Sequence, residues 1–146
     1  TYFEHRNGKN VMQKERLQTI LNSGLVSHIV SYSIGNDVKA YVLEASDEKM
    51  FHFWFSFYDL SLANQSLGMW LMIDALREAQ KTGKEYFYVG TVYGEKALYK
   101  TNFDSLEYWN GGEWIADIKK LKELSRNDQS LHFPGSDLWK RDLPHF

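Results

Sequence analysis

Hydrophobic and polar residues alternate along the chain with two different periods, which divide it into helices and strands. Apolar residues recur at helical spacing in residues 10–22, 66–82 and 117–125, and a shorter helical stretch covers residues 95–101. Runs typical of strands cover residues 28–34, 38–44, 50–58, 86–92, 106–109 and 113–116. Two turn signals, Gly35-Asn36-Asp37 and Asn110-Gly111-Gly112, predict two hairpins.

The strongest helical pattern lies in residues 66–82. Its apolar stripe consists of Met69, Met72, Ile73, Leu76 and Ala79, and its polar stripe consists of Asp74, Arg77, Glu78 and Lys81. Gly83 follows, where a helix C-cap is expected. The pattern predicts that the apolar stripe packs on the core and that Asp74 lies on the opposite face.

Residues 50–58 are predicted to form a central strand. Phe51, Phe53, Phe55 and Phe57 occupy one face of the alternating pattern, and His52, Trp54, Ser56 and Tyr58 occupy the other. Because both faces are bulky, we expect the strand to be covered on both sides. The following order of helix, strand and helix predicts a parallel pair with a right-handed crossover. The whole pattern indicates an α/β (α+β) domain with a mixed central sheet flanked by helices.

Length and composition are those of a single globular domain. We expect one domain over residues 1–146, with an irregular tail from about residue 127 that packs back on it. The absence of cysteine excludes thiolate nucleophiles and thiolate metal sites. No apolar run approaches the roughly 18 residues of a membrane span, so we expect a cytoplasmic protein that does not enter a membrane. Because the sequence begins with Thr1, the existence of an upstream domain is left as an open question.

The charge of the chain is close to neutral. A net charge of −2 does not give the basic field that is typical of nucleic-acid-binding domains. Local lysine clusters remain, such as Lys119, Lys120 and Lys122, but most clusters of this kind are solvated faces. Any contact with RNA is therefore expected to be local.

The segment Gln65-Ser66-Leu67-Gly68 opens the strongest helix soon after the predicted central strand. A helix N-terminus offers free backbone N–H groups and the positive end of the helix dipole, so it can hold a phosphate without a basic side chain. A glycine here lets a ligand approach the backbone closely. We predict a phosphate-binding turn, and an ordinary capped helix is the alternative.

A second segment, Leu98-Tyr99-Lys100 with Asn102-Phe103, lies after the next strand. In order and spacing the two segments resemble the GNAT superfamily of acyl and aminoacyl transferases, where a (Gln/Arg)-x-x-Gly-x-(Gly/Ala) turn precedes a Leu-Tyr-x-x-x-Gly-Phe-like run. The resemblance implies a GNAT-like fold whose sheet splays near Ser56 and Gly90 to admit the donor. Trp70 stands where the superfamily has Gly or Ala, and an indole there would crowd the pyrophosphate of coenzyme A.

Residues from about 55 to 114 resemble most closely the C-terminal domain of arginyl-tRNA-protein transferases. The matching residues are Tyr58-Asp59-Leu60-Ser61-Leu62, Gln65-Ser66-Leu67-Gly68, Tyr88-Val89-Gly90, and Leu98-Tyr99-Lys100 with Phe103. Gln65 replaces an arginine of that family and Leu60 replaces a proline. The resemblance implies transfer from aminoacyl-tRNA to a protein N-terminus or a small amine. Such a reaction is expected to need no metal, because the activated ester supplies the driving force.

The resemblance implies a role for Tyr99, and the chemistry and predicted positions of other residues make them candidates for further roles. Tyr99 is the expected proton donor to the leaving group, and Asp59 is the expected catalytic carboxylate on the acceptor side. Further candidates for the general base are Glu44, Glu107 and His52, and candidates for stacking on a terminal adenine are Trp54, Trp70 and Tyr88. The donor phosphate is expected at Gln65, Ser66, Leu67, Gly68, Met69, Trp70 and Lys100, and the acceptor pocket at Tyr58, His52, Tyr88 and Gly90.

Two alternatives share the predicted fold. An acetyl-CoA-dependent N-acetyltransferase would keep the reaction type and change the donor. Trp70 argues against it, and so does Asn102, which stands where the superfamily has Gly before Phe; the near-neutral charge argues for it. A non-catalytic binding domain would keep the fold without transferring any group. Transfer from aminoacyl-tRNA, with the tRNA 3′ end as a partner, is the first hypothesis.

Overall fold

The computed structural model of the chain describes residues 2, 12–92 and 94–127. They form two compact units, one up to Gly90 and one from Thr91. The helices are α1 (Lys14–Asn22), α2 (Leu67–Lys81), α3 (Gly94–Ala97) and α4 (Ile118–Asn127), with 3₁₀ helices at Leu60–Gln65 and Leu98–Asn102. The strands are β1 (His28–Ile34), β2 (Asp37–Ser46), β3 (Met50–Tyr58), β4 (Tyr86–Tyr88), β5 (Tyr108–Trp109) and β6 (Trp114–Ile115). The start predicted for the first helix and the tail after residue 127 lie outside the described residues, so the single-domain prediction stays a prediction.

The first unit contains a four-stranded sheet in the order β1-β2-β3-β4. β1, β2 and β3 are antiparallel neighbours, and β4 lies parallel to β3. The predicted hairpin turn is present, since Ile34 pairs with Asp37 and Gly35 has a φ of 60°, as glycine readily adopts. The mixed sheet with its helices confirms the α/β (α+β) class.

β3 contains a bulge at Trp54. Leu43 of β2 pairs with Phe55, whereas the next residue, Glu44, pairs with Phe53, so Trp54 has no partner in β2. An extra residue of this kind reverses the face on which every later side chain of the strand lies.

The bulge makes the predicted faces of the central strand wrong. The residues that face α2 are Phe51, Phe53, Ser56 and Tyr58, and those on the opposite face are His52, Phe55 and Phe57, as the pairing with β2 requires. Contact of Tyr58 with Gly68 of α2 fixes which face is which. The prediction failed because a run of aromatic residues has no local signal that marks an inserted position.

α2 packs on the sheet through a stripe that differs from the predicted one. Its buried residues are Leu71, Met72, Ala75 and Ala79, whereas Ile73 of the predicted stripe is 36% exposed. The two alanines let the helix backbone approach the sheet, and Leu71 and Met72 contribute roughly 1.5–3 kcal/mol each by burial. Asp74 is half-buried instead of opposite the core, because it accepts a hydrogen bond from Tyr32 of β1.

β4 is shorter than the predicted strand of residues 86–92. It pairs with β3 only from Met50 with Tyr86 to His52 with Tyr88. Beyond this point, among the described residues, no strand pairs with the β4 side of β3. The backbone turns at Gly90, whose φ of 74° suits glycine. The two strands therefore separate before Ser56, in the region where we predicted the splay.

The second unit contains α3, the 3₁₀ helix Leu98–Asn102, the β5–β6 hairpin and α4. Its hairpin is shorter than predicted, but its turn follows the Asn110-Gly111-Gly112 signal: the Asn110 side chain accepts hydrogen bonds from the backbone N–H groups of Gly112 and Glu113. Ser125 of α4 is buried and donates a hydrogen bond to the Gly94 carbonyl oxygen at 3.0 Å. No helix in the described ranges of the chain is long and apolar enough to cross a membrane.

Candidate functional site

The N-terminus of α2 begins with an unusual backbone turn. The chain leaves the 3₁₀ helix Leu60–Gln65, which the sequence did not predict, and enters α2 at Ser66 with φ 55° and ψ 29°. This left-handed conformation costs a residue other than glycine roughly 1–2 kcal/mol. The Ser66 side chain makes no capping hydrogen bond. The turn is therefore strained, and it leaves the start of the helix without a side-chain cap.

Two backbone donors stay open at this turn. The N–H groups of Met69 and Trp70 donate to the Ser66 carbonyl oxygen at 3.0 and 3.1 Å. Within the described part of the chain, no acceptor contacts the N–H groups of Leu67 and Gly68. Gln65 and Ser66 are exposed to solvent. Two open donors at the positive end of a helix of 15 residues are suited to an anion such as a phosphate.

Tyr58 lies directly beneath this turn. It ends β3, is 7% exposed, and forms an edge-on ring contact with Tyr2 at 5.0 Å. A Cβ atom added to Gly68 would meet the ring and the hydroxyl oxygen of Tyr58 at 3.5 Å, which is ordinary van der Waals contact. A larger side chain at position 68 would displace the Tyr58 ring. The structure thus brings the predicted pocket residue Tyr58 to the predicted donor turn.

Trp70 lies in the first turn of α2 and is 51% exposed. Its indole meets the ring of Tyr32 edge to face, with centroids 5.6 Å apart. Tyr32 in turn donates a hydrogen bond to Asp74 Oδ2 at 3.0 Å, and burial together with Asp74 raises the pKa of its hydroxyl. Tyr32 and Asp74 were not predicted to belong to the site, because they are 42 positions apart in the sequence.

Asp59 forms the start of the 3₁₀ helix. Its Oδ1 accepts hydrogen bonds from the backbone N–H and the hydroxyl of Ser61, and its Oδ2 accepts one from Lys39 Nζ at 3.0 Å. These contacts lower the pKa of Asp59 to about 2, with the Ser61 hydroxyl as the largest cause. At neutral pH the carboxylate is therefore ionised and a poor proton acceptor. Lys39 also contacts Asp37 at 2.7 Å, a partnership that the sequence pattern did not single out.

His52 and Tyr88 lie together on the other face of the sheet. Their ring centroids are 6.2 Å apart, and the ring of Trp54 stacks on His52 at 6.1 Å. Because Tyr58 faces α2, the four residues predicted for the acceptor pocket do not share one face. Gly90 follows β4 where the chain turns away from the sheet.

Glu44, one of the candidate bases, is buried on the face toward α2, with 6% exposure. Burial is the largest cause that raises the pKa of its carboxyl to about 7, and the carboxylates of Glu78 and Asp74 raise it further. Glu44 pairs with Phe53, whereas Tyr58 pairs with Ala40 at the far end of β2. Glu44 is therefore in the same sheet as the donor turn but several residues away along the strands.

The second unit carries Tyr99 and Lys100 on the 3₁₀ helix Leu98–Asn102, and both are half-buried. Lys100 Nζ donates a hydrogen bond to the Thr91 carbonyl oxygen at 3.0 Å. Burial lowers the pKa of the Lys100 ammonium to about 8. Glu107, another candidate base, is exposed. Within the ranges that the structure describes, no group of three or more His, Asp or Glu side chains is arranged to hold a metal ion.

Comparison with known proteins gives a match to one family model and to several proteins of a related family. The family model of the arginine-tRNA-protein transferase C terminus matches residues 1–110. An aspartate/glutamate leucyltransferase of Cereibacter sphaeroides (strain ATCC 17023) is 39% identical over 64 residues, 42% of this chain and 23% of that protein. That of Ruegeria sp. (strain TM1040) is 37% identical over 79 residues, 53% of this chain and 28% of that protein. No solved structure matches the chain significantly.

A longer but weaker match extends the similarity. The aspartate/glutamate leucyltransferase of Chromobacterium violaceum is 27% identical over 97 residues, which cover 65% of this chain and 40% of that protein. The chain thus spans between 23% and 40% of the length of these three relatives. The similarity concerns one part of each relative.

Proposed function

Because the chain belongs to the family of the arginine-tRNA-protein transferase C terminus, we propose that it transfers an aminoacyl group from tRNA to a protein N-terminus. The observation that carries the proposal is the family match over residues 1–110 of the 146. The open N–H groups of Leu67 and Gly68 support it, since a tRNA 3′ end presents phosphates. The relatives are named leucyltransferases, which is consistent with transfer of an aminoacyl group.

The donor side of the proposed site is the turn from Gln65 to Trp70. The phosphate of the tRNA 3′ end accepts hydrogen bonds from the open N–H groups at the start of α2, and the helix dipole adds to their attraction. Gln65, Ser66 and Met69 belong to the same turn, and Lys100 remains a proposed residue for binding the donor phosphate. No metal takes part in this proposal, because the aminoacyl ester is already activated and the protein mainly positions the reactants.

The reaction is an attack of an amine on an ester. The neutral α-amine of the acceptor attacks the ester carbonyl carbon, a carbon–nitrogen bond forms, and the carbon–oxygen bond to the ribose breaks. The amine loses a proton and the leaving ribose oxygen gains one, so the proton count balances. Tyr99 is the proposed proton donor to that oxygen.

Asp59 and the other carboxylates have different proposed roles. With a pKa of about 2, Asp59 stays ionised and attracts the incoming ammonium instead of removing its proton. A strong base is not required, because α-amino groups have pKa values of roughly 7.7–8.0 and a substantial fraction is neutral at pH 8. Tyr58, His52, Tyr88 and Gly90 remain proposed residues of the acceptor side.

The amino acid that is transferred is the finer part of the proposal. The family description names arginine, whereas the relatives are named leucyltransferases that act on aspartate or glutamate. We favour leucine onto N-terminal aspartate or glutamate, because several relatives from different organisms carry that name. Both donors belong in the test.

The test measures transfer of radiolabelled leucine or arginine from charged tRNA to peptides that begin with Asp, Glu or Ala. We expect label on the Asp and Glu peptides and none on the Ala peptide. Tyr99→Phe is expected to lower the rate by roughly 100-fold, as loss of a general acid does. Gly68→Trp is expected to abolish transfer, because its side chain displaces Tyr58 at the donor turn.

Binding experiments separate the alternatives. Thermal-shift titrations with charged tRNA, uncharged tRNA and acetyl-CoA report which donor the protein binds. A rise in Tm with acetyl-CoA alone, together with acetyl transfer to a peptide, would contradict the proposed donor. Unchanged transfer by both Tyr99→Phe and Gly68→Trp would contradict the proposed roles of these residues.

A further inference from the structure

We propose that Trp70 stacks on the 3′-terminal base of the donor tRNA and that Tyr32 and Asp74 hold its ring in position for this contact. The inference rests on the proposed function and assigns the base-recognition residue of the same site. Sequence alone left three aromatic residues as candidates for stacking, namely Trp54, Trp70 and Tyr88.

The exposure of Trp70 distinguishes it from the other two candidates. Trp70 is 51% exposed, although it lies in the first turn of the best-packed helix of its unit. Trp54 is half-buried and stacks on His52 and Phe55, and Tyr88 is 37% exposed and meets His52, so both rings are less exposed than Trp70. A large apolar side chain that stays half-exposed beside two open N–H donors is placed for a ligand.

The contacts of Trp70 fix its ring without covering it. Tyr32 meets it edge to face at 5.6 Å, which engages one part of the indole and leaves the rest to solvent. Tyr32 is itself anchored by its hydrogen bond to Asp74, one helical turn after Trp70. An aromatic ring that is already ordered loses little conformational entropy when a base stacks on it. Tyr32 and Asp74 therefore act as positioning residues.

The two parts of a nucleotide match the two parts of this turn. Leu67 and Gly68 offer N–H groups that suit a phosphate, and Trp70 in the same helical turn offers an aromatic surface that suits a base. Stacking on an aromatic ring accepts any base, so Trp70 supplies affinity for the terminal nucleotide without sequence readout.

The experiment measures binding of two short RNAs to the wild type and to variants of Trp70. One RNA ends in cytidine-cytidine-adenosine with leucine in a stable amide at its 3′ position, and the other is identical except that its terminal nucleotide has no base. For the wild type, we expect loss of the base to raise Kd roughly 10-fold. For Trp70→Ala the two RNAs should bind equally, and Trp70→Phe should retain part of the difference.

Two further variants test the specificity and the positioning. Trp109→Ala is the matched control, because Trp109 is 53% exposed, lies in the second unit and has a ring contact with Trp114. This variant should keep the 10-fold difference in Kd between the two RNAs. Tyr32→Phe keeps the ring and removes the hydrogen bond to Asp74, so the difference between the RNAs should shrink while binding of the base-free RNA stays unchanged.

The possible outcomes separate this inference from the proposed function. If Trp70→Ala keeps the full difference between the two RNAs, Trp70 is not the stacking residue. If the wild type binds both RNAs equally well, base stacking is absent although the proposed donor is retained. If the wild type binds neither RNA, the proposed function and this inference both fail.

Discussion

The two ends of α2 are built in opposite ways. At the C-terminal end, Gly83 adopts a φ of 71°, its N–H donates to the Gln80 carbonyl, and the N–H of Lys84 donates to the Ala79 carbonyl. This is the Schellman arrangement, which satisfies the last carbonyl groups of a helix. At the N-terminal end, a serine takes the left-handed conformation, and two N–H groups have no acceptor in the described residues.

The comparison indicates that the C-terminal end of α2 is optimised for stability and that the N-terminal end is not. A side-chain cap at the N-terminus would add about 1 kcal/mol of stability, and a glycine at position 66 would remove the strain. The chain has used both devices of this kind elsewhere, at Asp59 and at Gly83. The left-handed serine and the open N–H groups together support the proposed donor turn at this end.

Among tests that compare the two ends of α2, the largest effect on transfer is expected from enlarging Gly68. Gly68→Leu should lower kcat/KM for aminoacyl transfer roughly 30-fold, equivalent to the loss of about one hydrogen bond to a charged group, because its side chain displaces Tyr58 and disturbs the turn. Gly68→Ala is the control, since its methyl group fits against Tyr58, and its rate should stay within about threefold of the wild type. If Gly68→Ala lowered the rate as much as Gly68→Leu, displacement of the Tyr58 ring would not explain the loss of activity.

A second test concerns the middle of α2, where Asp74 and Glu78 of the helix lie near Glu44 of β2. The folded protein holds the pKa of Glu44 near 7 instead of 4.5, so between these values it binds a proton that the unfolded chain has released. Stability therefore falls as the pH rises through this window, and the full penalty of about 3 kcal/mol is present above pH 7. Glu44→Gln should remove this loss, as measured by urea unfolding at pH 5 and pH 8. Parallel pH curves for both proteins would contradict the assignment.

A third test concerns the closed end of the helix. Gly83→Ala should lower the free energy of unfolding by about 1 kcal/mol, because alanine is strained at a φ of 71°. Space does not limit this change, since no atom lies within 4 Å of the added Cβ. The transfer rate under conditions where the variant is folded should stay unchanged. A loss of activity in Gly83→Ala would contradict the view that only the N-terminal end of α2 takes part in transfer.

The smallest effect is expected at the strained end. Ser66→Gly relieves the left-handed strain but gives the unfolded chain more freedom, so the free energy of unfolding should rise by only about 0.5 kcal/mol. A calorimetric Tm measurement detects such a change. A clear loss of stability would mean that the Ser66 side chain stabilises the turn by contacts other than a capping hydrogen bond.

Local patterns predicted the sheet well. The alternation in residues 28–34 and 50–58 and the Gly35-Asn36 turn gave the first and third strands their observed bounds, because these signals depend only on neighbouring residues. The bulge at Trp54, the half-burial of Asp74 and the end of β4 at Tyr88 depend on partners far along the chain. No local pattern contains them.

In the candidate site, too, the features with a local sequence pattern were predicted and those that depend on distant residues were not. The Gln65 to Gly68 turn was placed correctly at the start of a helix, but its left-handed serine and missing cap were not, since Ser66 has the identity of a good capping residue. His52 and Tyr58 were expected on one face and lie on opposite faces. Tyr32 was missed because only the tertiary structure brings it to Trp70.

The bulge at Trp54 also determines how the sequence tolerates change in length. Trp54 is the extra residue of the bulge, so its deletion would leave Glu44 paired with Phe53 and Leu43 paired with Phe55, and the strand would become regular. Tyr58 would then stay against Gly68, whereas loss of a second residue between Phe53 and Tyr58 would turn Tyr58 away from α2 and bring Phe57 into its place. Alignments and engineered variants of this region can therefore lose one residue between Phe53 and Tyr58 without moving Tyr58, but not two.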